Sequence, residues 1–160
     1  MTTSPNGRKF IEDLEGVRLK AYQDSGGVWT IGYGHILGVK SGDICSFDQA
    51  DQWLTADLAT VEAVLSNPTI VAQALNQSQF DALVSFTFNV GCAAFEHSTL
   101  LRLLNGRDIM GAANQLLLWC RIKGAVSPGL LNRRAAERKL FLQEFPELAN
   151  SPQTSVATLQ

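Results

Sequence analysis

At Gly16 the spacing of apolar residues changes from the helical period to alternation. This change most constrains how the chain can fold. Residues 4–15 carry apolar side chains at helical spacing, with Ser4 as a candidate N-cap. Gly16 is typical of the position after a helix end, and from residue 17 onward apolar and polar side chains alternate. Because a glycine-rich turn divides residues 17–33 into two β-favouring runs, the sequence predicts a helix that leads directly into a β-hairpin.

Two carboxylates and a hydroxyl occupy defined places in this segment. Glu15 lies in the last turn of the predicted helix, where the negative end of the helix dipole disfavours the ionised form. If Asp24 pairs with Val28 across the turn, Tyr22 lies opposite Thr30. Asp24 and Thr30 then share one face of the hairpin and could hold one water molecule.

Glycoside hydrolysis commonly uses two carboxyl groups that lie in different environments. One is kept protonated to donate to the leaving oxygen, and the other is ionised to activate water. Glu15 fits the first role and Asp24 the second. On spacing alone the alternative is equally open, with Glu15 as a solvated helix-end acid and Asp24 as a turn former.

The whole segment resembles the phage-type lysozymes of glycoside hydrolase family 24. In that family a glutamate followed by glycine, an aspartate and a threonine have the spacing of Glu15, Asp24 and Thr30. Five further tracts match the family's motifs: residues 30–35, 76–82, 88–91, 95–99 and 129–137. The resemblance therefore covers roughly residues 8–145 and consists of several ordered motifs.

The resemblance implies an α+β, mainly helical fold with the two lobes of a lysozyme. Residues 1–145 would form the lysozyme domain, with a small β-hairpin lobe over about 16–65. The helical C-terminal lobe would take residues 66–145 together with the N-terminal helix, and a helix ending near residue 65 would connect the lobes. The composition of residues 146–160, rich in Ser, Pro, Gln and Thr, predicts a loose C-terminal tail.

The activity that the resemblance implies is inverting hydrolysis of the bond between N-acetylmuramic acid and N-acetylglucosamine in peptidoglycan. Glu15 would protonate the leaving oxygen, while Asp24 and Thr30 would position the attacking water. The chain would be a monomeric endolysin that lyses the bacterial host at the end of phage infection and needs no cofactor or metal. Two alternatives remain, a lytic transglycosylase on the same bond and a non-catalytic wall-binding module, and retention of Asp24 and Thr30 disfavours both.

The resemblance also assigns five supporting or substrate-binding residues. They are His35, Ile36, Phe88, Ser98 and Arg133. Arg133 would pair with Glu15 and favour its ionised form, although the neighbouring Arg134 could take that place. His35 is either a catalytic base or a structural group paired with an acid. The other three match positions that line the family's cleft.

Charge and composition restrict the remaining classes of protein. A chain of 160 residues with 46% hydrophobic content suits one domain or two small lobes. Residues 121–140 hold six basic side chains against one acid, which is compatible with nucleic-acid binding. We favour contact with an anionic polymer such as peptidoglycan. No G-x-S-x-G elbow, phosphate-binding loop or dinucleotide fingerprint occurs in the sequence.

The cysteines and the hydropathy complete the sequence-based expectations. Cys45, Cys92 and Cys120 are odd in number and lack C-x-x-C spacing, which predicts free thiols. A zinc site that combines two of them with His35 and His97 has no supporting ligand spacing. No apolar run reaches the roughly 20 residues of a membrane span, and the N-terminus lacks a secretory signal. We therefore expect no stable membrane association, and residence in the host cytoplasm until a separate protein opens the membrane.

Overall fold

The fold, given by a computed structural model that describes residues 1–149, is predominantly helical with two small antiparallel sheets among those residues. The helices are α1 Pro5–Glu15, α2 Phe47–Leu65, α3 Gln77–Val90, α4 Cys92–Glu96, α5 Thr99–Asn105, α6 Ile109–Leu116, α7 Pro128–Phe141 and α8 Pro146–Ala149. The strands are β1 Arg18–Gln23, β2 Trp29–Gly32, β3 Arg121–Ile122 and β4 Ala125–Val126. The predicted α+β, mainly helical class is confirmed.

Helix α1 begins and ends where the sequence predicts. Ser4 is its N-cap and accepts a hydrogen bond from Gly7 N at 3.0 Å. Gly16 follows the last residue with φ at +64° and donates its N–H to Glu12 O. Glycine suits this position because it adopts positive φ without steric cost. Glu15 is therefore fixed at the C-terminal end of α1, where the chain turns into β1.

The β1–β2 hairpin has the predicted register near its turn. Tyr22 lies opposite Thr30, and Asp24 N donates to Val28 O at 3.0 Å. The side chain of Asp24 also stabilises the turn, because its Oδ1 accepts hydrogen bonds from Gly26 N at 2.8 Å and from Val28 N at 2.9 Å. A register irregularity lies further along β1, away from the turn.

Helix α3 forms the centre of the hydrophobic core. Every residue from Gln79 to Thr87 is buried, and α1, α2 and α7 all pack against this helix. Helix α2 also contacts β2, so it links the hairpin to the helical part as the sequence predicts. The first four residues of the predicted tail form α8, and the rest of that tail lies outside the described residues.

Gly7 marks a close approach of α1 to α3. A Cβ atom on Gly7 would lie 2.4 Å from Cγ of Asp81, a side chain 3% exposed whose Oδ1 accepts a hydrogen bond from Ser4 N. We therefore expect Gly7→Ala to lower the free energy of unfolding by about 1–3 kcal/mol, measured by urea denaturation. The matched control is Gly129→Ala in α7, where the nearest atom lies 3.9 Å away. That variant should be up to about 1 kcal/mol more stable, and equal stability of the two variants would contradict the close packing.

Candidate active site

Glu15, Asp24 and Thr30 line one cleft, although they come from different elements. The cleft has a volume of about 480 Å³ and lies between the β1–β2 hairpin, α2 and the C-terminal end of α3. Glu15 enters it from the end of α1, and the other two residues enter from the hairpin. A carboxyl group at a helix end therefore shares a solvent-accessible space with a second carboxyl group in a turn.

Arg133 on α7 binds Glu15 at the end of α1. Its Nη1 donates to Glu15 Oε1 at 2.7 Å, and the side chains of Arg133 and Glu15 are only 9% and 17% exposed. Water and salt screen such a pair much less than a surface pair. Arg133 contacts Glu15 directly, whereas Arg134 donates to Glu137, Asn89 and the carbonyl of Trp119.

The two oxygens of the Asp24 carboxylate have different surroundings. Oδ1 accepts the two backbone hydrogen bonds of the turn, whereas no group of residues 1–149 donates to Oδ2. Thr30 is buried, and its hydroxyl donates to Val28 O at 3.0 Å. Since that bond uses the only proton of the hydroxyl, Thr30 Oγ1 can offer only lone pairs to a further partner.

His35 is held by contacts on both ring nitrogens. Nδ1 lies 2.8 Å from Asp57 Oδ2, Nε2 lies 3.1 Å from Leu37 O, and the ring stacks on Trp53 with 4.7 Å between the ring centroids. Neither nitrogen is left to act as a base toward a substrate. Of the two interpretations of His35, this geometry supports the structural group paired with an acid.

The structure brings two of the three predicted cleft-lining residues to the cleft. Ile36 and Phe88 line it, and Ile36 is 57% exposed there. Ser98 is buried and does not line it, since its Oγ caps α5 by accepting from Leu101 N at 3.0 Å. This contact has a physical reason, because a serine hydroxyl before a leucine-rich helix satisfies a free backbone N–H.

Part of the positive charge of residues 121–140 lies inside the molecule. Arg133 and Arg134 are buried, and their charges are opposed by the carboxylates of Glu15 and Glu137. The exposed basic residues of this segment are Arg121, Lys123 and Lys139. Two of the six basic side chains of this segment therefore neutralise buried carboxylates, and the other four are the ones available to an anionic polymer.

The sequence of the chain matches the family described as phage lysozyme over residues 12–137. The chain belongs to the phage lysozyme family. The endolysin of Salmonella phage P22 is 43% identical over 147 residues, which cover 89% of this chain and 99% of that relative. The endolysin of Acyrthosiphon pisum secondary endosymbiont phage 1 is 42% identical and covers 88% of this chain and 98% of its own length. The solved muramidase domain of SpmX from Asticaccaulis excentricus superposes with a TM-score of 0.80 at 37% identity, covering 88% of this chain and 97% of that domain.

Membership of the family confirms the predicted class of enzyme. This lysozyme is a glycosidase that degrades peptidoglycan. The cleft fits that chemistry, because glycosidases commonly use a pair of carboxyl groups on either side of the scissile bond. Within residues 1–149 no helix combines the length and apolar content needed to cross a bilayer.

Two polar residues of the lysozyme cleft escape prediction from the sequence. Asp57 on α2 lines the cleft and is the partner of His35, and Asn89 near the end of α3 lines it and accepts from Arg134. Both belong to pairs whose members are far apart in the chain. From the sequence alone, an acid or amide on a helix that pairs with a distant residue cannot be distinguished from one that is only solvated.

The thiols of this lysozyme are free, and one of them lines the cleft. Cys45, Cys92 and Cys120 form no disulfide, and Cys92 is the one at the cleft. Among residues 1–149 no three His, Cys, Asp or Glu side chains are grouped as a metal site would require. Burial raises the pKa of the Cys92 thiol above its ordinary value, and the negative charge of Glu96 adds to the rise.

We expect alkylation of Cys92 by iodoacetamide to be slow at pH 7 and to accelerate as the pH rises. The reactive species is the thiolate, and a raised pKa leaves a smaller fraction of the Cys92 thiol ionised at neutral pH than in an exposed cysteine. Once attached, the adduct adds bulk to the cleft and should reduce peptidoglycan cleavage. Mass spectrometry measures the modification, and turbidity loss of cell walls measures activity.

The matched control for this experiment is Cys92→Ser, which retains Cys45 outside the cleft lining. Treatment of that variant with the reagent should leave its activity at the untreated level. Rapid alkylation of Cys92 at pH 7, or inhibition of the treated serine variant, would contradict the expectation.

Proposed function

We propose that this lysozyme hydrolyses the bond between N-acetylmuramic acid and N-acetylglucosamine with inversion at the anomeric carbon, and that Glu15 is the proton donor. The observation that carries the proposal is that Glu15 and Asp24 line the same cleft in unlike environments. Glu15 is largely buried at the end of α1, whereas Asp24 is exposed in the hairpin turn. Such a difference allows one carboxyl group to hold its proton while the other is ionised.

Asp24 and Thr30 provide a place for the attacking water. Asp24 Oδ2 has no protein donor within residues 1–149, and Thr30 Oγ1 has already donated its proton to Val28 O. Both atoms are therefore acceptors, and a water molecule has two protons to give them. Asp24 takes one of these protons as the water oxygen bonds to the anomeric carbon, while Thr30 orients the other.

Arg133 faces the carboxylate that Glu15 becomes after proton transfer. When Glu15 gives its proton to the leaving oxygen, a negative charge forms 2.7 Å from the guanidinium of Arg133. A fixed charge next to a developing charge stabilises the transition state without reorganisation. The same guanidinium disfavours the protonated donor before the reaction, so its position relative to Glu15 has to be controlled.

Product analysis tests this proposal. Digestion of purified peptidoglycan should release fragments with a reducing N-acetylmuramic acid end, detected by mass spectrometry. Proton NMR at early times should show the α-anomer first, because inversion of a β-linked sugar gives that product. Anhydro ends would indicate a lytic transglycosylase, an initial β-anomer would exclude inversion, and wall binding without products would indicate a non-catalytic module.

We further propose that the protein acts as a monomer, with residues 1–145 as one lysozyme domain that binds no nucleic acid. Glu15, Asp24 and Thr30 all line the cleft of a single chain, and the internal positions of Arg133 and Arg134 remove two charges that a nucleic-acid surface would need. The resemblance supports residence in the host cytoplasm, without stable membrane association, until the membrane is permeabilised. Sedimentation of the purified protein and fractionation of infected cells measure these properties.

A further inference from the structure

Glu137 on α7 is a fully buried carboxylate that the proposed reaction does not use directly. Its side chain has no exposed surface, and both of its oxygens accept hydrogen bonds. Oε1 accepts from Arg133 Nε at 2.9 Å and from Ser85 Oγ at 2.8 Å, and Oε2 accepts from Arg134 Nη1. Burial of a charge is costly unless it is paired and hydrogen-bonded, and Glu137 is both.

We propose that Glu137 is a positioning residue for acid catalysis, which holds the guanidinium of Arg133 in place against Glu15. The inference rests on the proposed role of Glu15 as proton donor. Arg133 lies between the two carboxylates, with Nη1 bound to Glu15 and Nε bound to Glu137. Its Nη2 donates to Ser85 O at 3.1 Å and to Ser85 Oγ at 3.4 Å. Because a guanidinium is planar and rigid, the contacts to Glu137 and Ser85 fix where Nη1 points.

The other arginine extends this arrangement to the wall of the cleft. Arg134 binds Glu137 through Nη1, the carbonyl of Trp119 through Nε at 3.0 Å, and Asn89 through Nη2. Asn89 lines the cleft. Burial lowers the pKa of Arg134, and the charge of Glu137 acts in the opposite direction. Glu137 therefore connects the partner of the proton donor with a polar residue of the substrate-binding surface.

The role proposed for Glu137 depends on the balance of buried charges around Glu15, which can be measured. The buried group contains two cations, Arg133 and Arg134, and two anions, Glu15 and Glu137. Without the charge of Glu137, both cations act on Glu15 and favour its ionised form. The other acids that line the cleft, Asp24 from the hairpin and Asp57 from α2, stay unchanged in such a variant. The activity of the variant should then decline at a lower pH than that of the unmodified protein.

The test is Glu137→Gln, assayed for kcat and KM on soluble peptidoglycan fragments across a range of pH. We expect kcat to fall about tenfold to hundredfold, because the amide keeps one acceptor oxygen where Arg133 and Arg134 now use two, and a misplaced Arg133 no longer matches the transition state. We expect KM to change little and the alkaline limb of the activity profile to move to lower pH. The matched control is Glu144→Gln, which makes the same change at an exposed site bound to Ser78 and should leave kcat and the profile unaltered.

A double variant separates the charge of Glu137 from its effect on folding. Arg134→Met with Glu137→Gln removes one buried cation and one buried anion, so the remaining pair of Arg133 and Glu15 stays neutral. We expect this variant to fold even if Glu137→Gln does not. Its alkaline limb should return to the position of the unmodified protein while kcat stays reduced.

Glu15→Gln is assayed in parallel, so that the role of Glu137 and the role of Glu15 are tested separately. Unmodified kcat and pH profile in folded Glu137→Gln, with activity lost in Glu15→Gln, would overturn the inference and leave the proposed function intact. Unmodified kcat in the double variant would overturn it in the same way. Full activity of Glu15→Gln would instead remove the proposed function and with it the inference.

Discussion

Glu15→Gln is expected to slow peptidoglycan cleavage by about 10²- to 10⁴-fold while the protein remains folded. A glutamine cannot donate a proton to the leaving oxygen, so the positioned proton transfer is lost. It still presents an oxygen where Arg133 Nη1 now binds Oε1 at 2.7 Å. Because this contact and the size of the side chain are retained, the change acts on the chemistry far more than on the packing.

The measurement is the initial rate of cleavage of purified cell walls, with thermal unfolding recorded on the same samples. Asp13→Asn is a matched control, because it makes the same carboxylate-to-amide change on the same helix. Asp13 is exposed, and within residues 1–149 its one ion pair is with exposed Lys9, a kind of contact that contributes little to stability. The control should cleave at the unmodified rate. A comparable rate in Glu15→Gln would contradict its assignment as proton donor.

The part of the site that the sequence predicts best is the part formed by local structure. Glu15, Asp24 and Thr30 lie within one helix end and one hairpin. Their placement follows from the glycine at position 16 and the turn at residues 24–27. Helix capping and turn formation act over a few residues, so the sequence contains the whole signal. The pairing of Tyr22 with Thr30 could be predicted for the same reason.

Contacts between distant segments are harder to predict from residue type alone. Arg133 and Glu15 are 118 positions apart, and only the resemblance to a family brought them together before the structure. Physical reasoning from composition instead assigns arginines to the surface, because a buried charge is costly unless it is paired. The burial of Arg134 and Glu137 could not be predicted, since each depends on partners that packing brings together. Ser98 shows the converse, because its hydroxyl has a local role as a helix cap and lies outside the cleft lining.

Asp24→Asn is expected to reduce cleavage by about 10²- to 10⁴-fold without loss of the hairpin. The two functions of this carboxylate lie on different atoms. Oδ1 accepts from Gly26 N and Val28 N, and an asparagine oxygen can accept the same two bonds. The change therefore removes the base that would take a proton from water and retains the turn that holds Thr30 in register.

Asp24→Ala provides the contrast that separates these functions, because it removes the turn contacts as well as the base. We expect the alanine variant to be as inactive as the asparagine variant and also less stable, since Gly26 N and Val28 N lose their acceptor. Cell-wall turbidity measures activity, and thermal unfolding measures stability. If Asp24→Asn cleaved at the unmodified rate while Asp24→Ala did not, the carboxylate would serve only the turn. The attacking water would then need another base in the cleft, and Asp57 is already engaged by His35.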